Sequence, residues 1–158
     1  MNKSKKGGID PREIEPRTGT GYPEPYRENV VARSKRALGD AFGLSRYGVN
    51  LVELSPGTWS AQRHWHTQED EFIFVVSGEL TLITDAGAQL LTPGMVAGFQ
   101  AGESDGHHLV NRSDESATYL EIGDRNPQDD VYYPDIDLLY KVNSEGDHEF
   151  TNRDGIPY

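Results

Sequence analysis

The sequence predicts an all-β fold of antiparallel type, a sandwich or a barrel. It divides into an irregular N-terminal arm (residues 1–44), a barrel body (45–123) and a C-terminal extension packing on that body (124–158). Three observations predict this. From Tyr47 onward, short runs rich in β-branched and aromatic residues alternate with turn chemistry: Ser55-Pro56-Gly57, Ser77-Gly78, Asp85-Ala86-Gly87, Pro93-Gly94 and Asn111-Arg112-Ser113-Asp114. No helical periodicity intervenes between the runs, which is the pattern of an antiparallel sandwich or barrel. The apolar residues, 35% of the chain, concentrate in the middle, so one core forms there between two polar ends.

The arm is punctuated by Gly7-Gly8, Pro11, Pro16, Gly19, Gly21, Pro23 and Pro25, a spacing that forbids long regular structure. Residues 1–10 read as a partly disordered leader, residues 29–38 as one or two helical turns. Tyr22 and Tyr26 are expected to pack on the chain's own body or on a partner subunit. Strands are expected over 48–54, 58–66, 71–76, 79–84, 89–91, 95–99, 107–111 and 117–122, with an edge strand from 131–133 or 136–142.

Composition excludes several functions. A net charge of -11 repels nucleic acid and anionic membranes. No apolar stretch reaches transmembrane length, and the lysines near Met1 are followed by no apolar core, so the start does not read as a secretory signal. A cytoplasmic protein is expected. With no cysteine, disulfides and thiolate ligands are excluded, and any metal must be held by histidine and carboxylate.

Of five histidines, four fall in two short segments: His64 and His66, then His107 and His108. Three imidazoles with the carboxylate of Glu71 would complete the protein share of a divalent transition-metal shell. Residues two apart in a strand share a face, so His64 and His66 point one way and Arg63 and Trp65 the other. The polar run Thr67 to Asp70 breaks the strand, which lets Glu71 return to the same side with Ile73 and Val75 while Phe72, Phe74 and Val76 face outward. His107, Leu109 and Asn111 share a face farther on. His108 rivals His107, and Glu69 and Asp70 rival Glu71, the latter two reading better as a solvated acidic turn with contacts to a histidine from outside the metal shell.

These motifs resemble those of the cupin superfamily, the small barrels of germin and phosphomannose-isomerase type. Its first motif, a glycine, HxH, three or four residues, Glu, six residues and Gly, is met by Gly57, His64-Trp65-His66, Glu71 and Gly78. The glycine-to-histidine spacing is one residue longer than usual, which makes Thr58 a candidate for the glycine position. The second motif is met by Gly94, Gly102, His107 and Asn111, with Gln100 in place of a proline, Met95 in place of a frequent aspartate and two extra residues before His107. The resemblance covers 48–123 and implies a double-stranded β-helix (jelly-roll) barrel. It also implies one octahedral divalent metal (Zn, Fe, Mn, Ni or Cu) on His64, His66, Glu71 and His107, and the His-x-x-x-Asn spacing favours His107 over His108.

Around that set, Gln62 shares the histidines' face and is a candidate to bond substrate or metal-bound water. Trp59 and Trp65 should face away from it, and Tyr47 and Phe99 are candidate pocket walls. Arg46, Arg63 and Arg112 are the arginines nearest the barrel segments; Arg63 points outward by parity, which weakens a phosphate reading. His148 reads as a surface residue. The resemblance implies a metal-dependent enzyme on a small molecule, of sugar-phosphate isomerase-like type, with no general base evident. The alternatives are a non-haem metal dioxygenase and a non-catalytic ligand-binding or sensing barrel; a seed-storage role fits poorly. The arm's composition suits reaching across a subunit boundary, so a homodimer is expected.

Overall fold

Alternating strands bury one face only when a second sheet covers it, and this chain supplies that cover in three sheets. The computed structural model describes residues 7–158. Thirteen strands follow in chain order: β1 (Arg17–Thr18), β2 (Ser34–Ala37), β3 (Tyr47–Leu54), β4 (Trp65–His66), β5 (Glu71–Ser77), β6 (Leu80–Thr84), β7 (Gly87–Leu91), β8 (Val96–Phe99), β9 (His108–Val110), β10 (Ala117–Asp124), β11 (Val131–Tyr133), β12 (Leu138–Val142) and β13 (His148–Thr151). One short helix, α1 (Leu38–Ala41), lies between β2 and β3. The sheets run β1-β2-β3-β10-β5-β8, β7-β6-β9 and β13-β12-β11-β4, and neighbouring strands pair antiparallel throughout.

The jelly-roll core forms where the first two sheets face each other. Val52, Leu54, Ile73, Val75 and Tyr119 meet Leu80, Leu82, Leu91 and Leu109, each nearly or fully buried. A leucine buried there contributes about 2 kcal/mol. A second cluster joins arm and tail, with Tyr22 and Val30 against Val131, Tyr133 and Leu138. The arm therefore packs on its own barrel, with Tyr22 edge-on to Tyr133 at 5.7 Å, rather than reaching outward over its described part.

Two sequence expectations change and one lies partly outside the described residues. The first six residues of the expected leader lie outside the described residues. Residues 29–38 are turns followed by β2, not a helix, because Ser34 to Ala37 pair with Glu53 to Asn50 along the open edge of β3. Nor do residues 58–66 form one strand. Ser60 bonds Leu109 while His64 bonds His107, so four residues on one side span two on the other. That bulge reduces the strand to β4 and isolated bridges at Trp59 and His64.

One motif glycine is set by geometry. Gly78 has φ +72°, and a Cβ there would lie 2.7 Å from Ala117 Cα and from the Ser116 carbonyl oxygen.

Candidate metal centre

Glu71 opens β5 and faces inward, in the row that continues through Ile73 and Val75. The three imidazoles converge on one of its oxygens. From Glu71 Oε2, His107 Nε2 is 2.6 Å away, His66 Nε2 3.4 Å and His64 Nε2 3.6 Å. All four side chains are shielded, from 8% exposed at His107 to 19% at Glu71. The structure thus brings His64, His66, Glu71 and His107 together.

The backbone fixes which nitrogens look inward. His64 Nδ1 lies 2.8 Å from the Gln62 carbonyl and His66 Nδ1 2.6 Å from Asp129 Oδ2. With Nδ1 of each ring donating, Nε2 presents its lone pair to the cluster. His66 Nε2 is buried and has no hydrogen-bond partner. Ligand atoms of His64, His66 and Glu71 lie within 4.8 Å of one another, and three imidazole nitrogens with a carboxylate suit a borderline divalent cation. The donor set fits a metal.

The electrostatics agree. Burial alone would raise Glu71, but the hydrogen bond with His107 and the close imidazoles of His64 and His66 hold its carboxyl well below the usual range. Burial lowers His66, yet Asp129 and Glu71 outweigh it and push it up to about 10. Burial keeps His107 and His108 below the ordinary histidine value. The centre therefore holds a proton on His66 between the carboxylates of Glu71 and Asp129, positive charge that a bound metal would replace.

The rivals take other roles. His108 turns away, with Nδ1 2.9 Å from the Ala61 carbonyl and its ring edge-on to Trp59. Glu69 is half-buried, accepts from the Asn126 amide at 2.6 Å and stands 3.9 Å from His66 Nδ1. Asp70 is exposed and accepts from the Ala101 amide. Phe99 stacks on His107 at 3.5 Å and walls the centre, whereas Tyr47 is exposed. Trp59 and Trp65 face elsewhere, Trp65 stacking on Tyr132 at 4.7 Å.

Two further readings change. The bulge turns Gln62 toward the arm, where its Nε2 donates to the Tyr26 carbonyl, so it does not face the cluster. His148 is half-buried, 2.9 Å from the Asp129 carbonyl and stacked on Tyr140. Arg63 is engaged by Asp135 and Asp85 and does not line the cavity. Arg46 and Arg112 are exposed.

A cavity of about 300 Å³ opens onto the cluster, and four of its walls are absent from the sequence expectations: Arg33, Lys35, Tyr119 and Glu121. Asp129, which also accepts from the Gln68 amide at 2.7 Å, is likewise unforeseen. A basic pair spaced i, i+2 is the one signal the arm offered.

Residues 50–123 match the family model described as "Cupin domain". A solved sugar phosphate isomerase from a cupin superfamily, from Silicibacter pomeroyi, is similar over 96% of both chains, with 43% identity and a TM-score of 0.90. A protein provisionally called a sugar phosphate isomerase, from Acidithiobacillus ferrooxidans, is similar over 80% of both chains, with 31% identity and a TM-score of 0.72. A predicted oxalate decarboxylase from Thermotoga maritima shares the fold at 16% identity and a TM-score of 0.62, over 76% of this chain and 100% of that one. No curated protein sequence matches significantly.

Proposed function

The chain belongs to the cupin family, and from that premise we propose that it is a metal-dependent enzyme of sugar-phosphate isomerase-like type. The observation that carries this is the convergence of three Nε2 atoms on Glu71 Oε2 at the wall of a cavity sized for a small molecule. His64, His66, Glu71 and His107 would hold one divalent transition metal, which when bound supplies a Lewis acid for a carbonyl or hydroxyl. Asp129 orients His66, the Gln62 carbonyl orients His64, and Phe99 shields His107 from water. Similarity to the Silicibacter pomeroyi isomerase over nearly the whole chain supports the reaction type.

A homodimer is part of the proposal, supported by the exposed apolar face of β5 and β8, where Phe72, Phe74, Val76 and Val96 are each more than a third exposed. A cytoplasmic setting is part of the same proposal. Among the described residues no helix is long and apolar enough to cross a membrane.

The test is elemental analysis of gently purified protein, then proton NMR of that protein with a panel of phosphorylated aldoses and ketoses. About one equivalent of transition metal and interconversion of at least one pair are expected. Protein that carries no transition metal and turns over none of the panel overturns the reading.

A further inference from the structure

The cavity extends from Glu71 across the inner face of the six-stranded sheet, and strand register says what it meets. Glu71 pairs with Phe99 and Gly123; the next inward row holds Ile73, Glu121 and Asn50, and the row after it Val75, Tyr119, Val52 and Lys35. Directly paired residues share a face. Glu121, Tyr119 and Lys35 therefore look the same way as Glu71, and with Arg33 they line the cavity. β2 lies three strand spacings from β5, about 14 Å along the sheet. The imidazole cluster and the arm's cations thus stand on different sides of one chamber.

The two cations are not equivalent. Lys35 Nζ is 2.6 Å from Glu121 Oε1, which also accepts from Asn50 Nδ2 at 3.0 Å. Arg33 donates through Nη1 to the Ser60 carbonyl and enters no ion pair among the described residues. A guanidinium carries five donors, so that bond leaves its fork able to grip an oxyanion. Beside it in the wall, Tyr119 is only 1% exposed, and its hydroxyl has no hydrogen-bond partner. Burial pushes its proton loss well above the usual tyrosine value, a rise that the nearby Ser60 side chain offsets only in small part. A buried hydroxyl without a protein partner, on the wall of a cavity, is free to bond whatever occupies that cavity.

We propose that Arg33 and Tyr119, flanked by the Lys35–Glu121 pair, form an oxyanion subsite. It holds the phosphate of a phosphorylated substrate whose other end reaches the cluster around Glu71. This rests on the isomerase-like reading and assigns its substrate-binding end. In a chain of net charge -11 an anion is admitted only where local cations offset the field, and the arm brings them to this wall. Lys35, already neutralised by Glu121, sets the orientation of the wall; Arg33 supplies the uncompensated charge.

The test titrates inorganic phosphate into the full chain by calorimetry, with malonate as a planar dicarboxylate control. It is run as purified and again after chelation, so that phosphate ligating a metal is counted separately. Expected is saturable phosphate binding that survives chelation, weakened about tenfold or more in Arg33→Gln and about fivefold in Tyr119→Phe. Tyr119→Phe keeps the ring, so it reads the subsite even where Arg33→Gln disturbs the Ser60 contact. Thermal midpoint and metal content are measured on the same samples. Phosphate affinity unchanged in both variants, or no binding at all, overturns the subsite; malonate bound more tightly than phosphate overturns its assignment to phosphate. Metal-loaded protein that ignores phosphate removes the subsite alone. Protein that carries no transition metal as purified, takes none up when metal is added, and yet binds phosphate through Arg33 removes the metal-dependent reading alone.

Discussion

His66 Nδ1 stands 2.6 Å from Asp129 Oδ2, an oxygen carried by the loop that leads into β11. That contact fixes the His66 tautomer and aims Nε2 at Glu71. Asp129→Asn keeps the shape but offers the wrong hydrogen-bonding partner on at least one face. Metal affinity should fall about 10- to 100-fold, with the fold retained, as read by competition with a chromophoric chelator. Affinity equal to wild type would mean that Asp129 serves packing only.

Glu71→Gln tests the centre itself. The substituted amide keeps the volume and loses the charge to which three imidazoles turn. Bound metal should drop from about one equivalent to below a tenth after dialysis, with turnover lost in parallel. Elemental analysis gives the answer, and full retention of metal would contradict the ligand assignment.

Gly78→Ala tests the barrel. The new methyl would meet the Ala117 backbone at a position whose φ of +72° already disfavours a side chain. Strain and overpacking together should cost about 3 kcal/mol, seen as a lower thermal midpoint with metal ligation otherwise intact. A midpoint within a degree of wild type would be inconsistent with the close approach to Ser116 and Ala117.

The Arg63–Asp135 pair sets an acid limb. Asp135 oxygens accept from Arg63 Nε and Nη2, each at 2.7 Å, and these bonds hold the Asp135 carboxyl below its ordinary value. Because the folded value is depressed, the stabilisation is present above the ordinary carboxylate range and lost as pH falls through the folded value. Asp135→Asn should therefore melt below wild type near neutrality, and the gap should close as pH falls below the ordinary carboxylate range. Calorimetric scans across pH decide this; a gap independent of pH would exclude the ion pair as its source.

The sequence made the barrel legible wherever period-2 alternation and turn chemistry agreed, as in β3, β5 and β10. It also placed His64, His66, Glu71 and His107 on faces that the structure brings together. It failed where one residue more or less changes direction. The bulge opposite His108 reverses Gln62, and no local pattern announces it. It failed again where partners arrive from afar. Asp129 is 63 residues from His66, in a polar stretch without periodicity, and β2 reads Ser-Lys-Arg-Ala, with no large apolar residue to mark a buried face. Arg33 and Lys35 were readable as cations but not as neighbours of the cavity.

β4 holds one ligand and its strand partner is β11, with His66 opposite Val131. The region matched as a cupin domain ends at residue 123, so the strand that pairs with β4 lies outside it. The unit that positions His66 is then barrel plus tail. Exchange of the last segment between relatives, or loss of it by truncation, would alter the chemistry at His66 without touching a residue of the recognised motif.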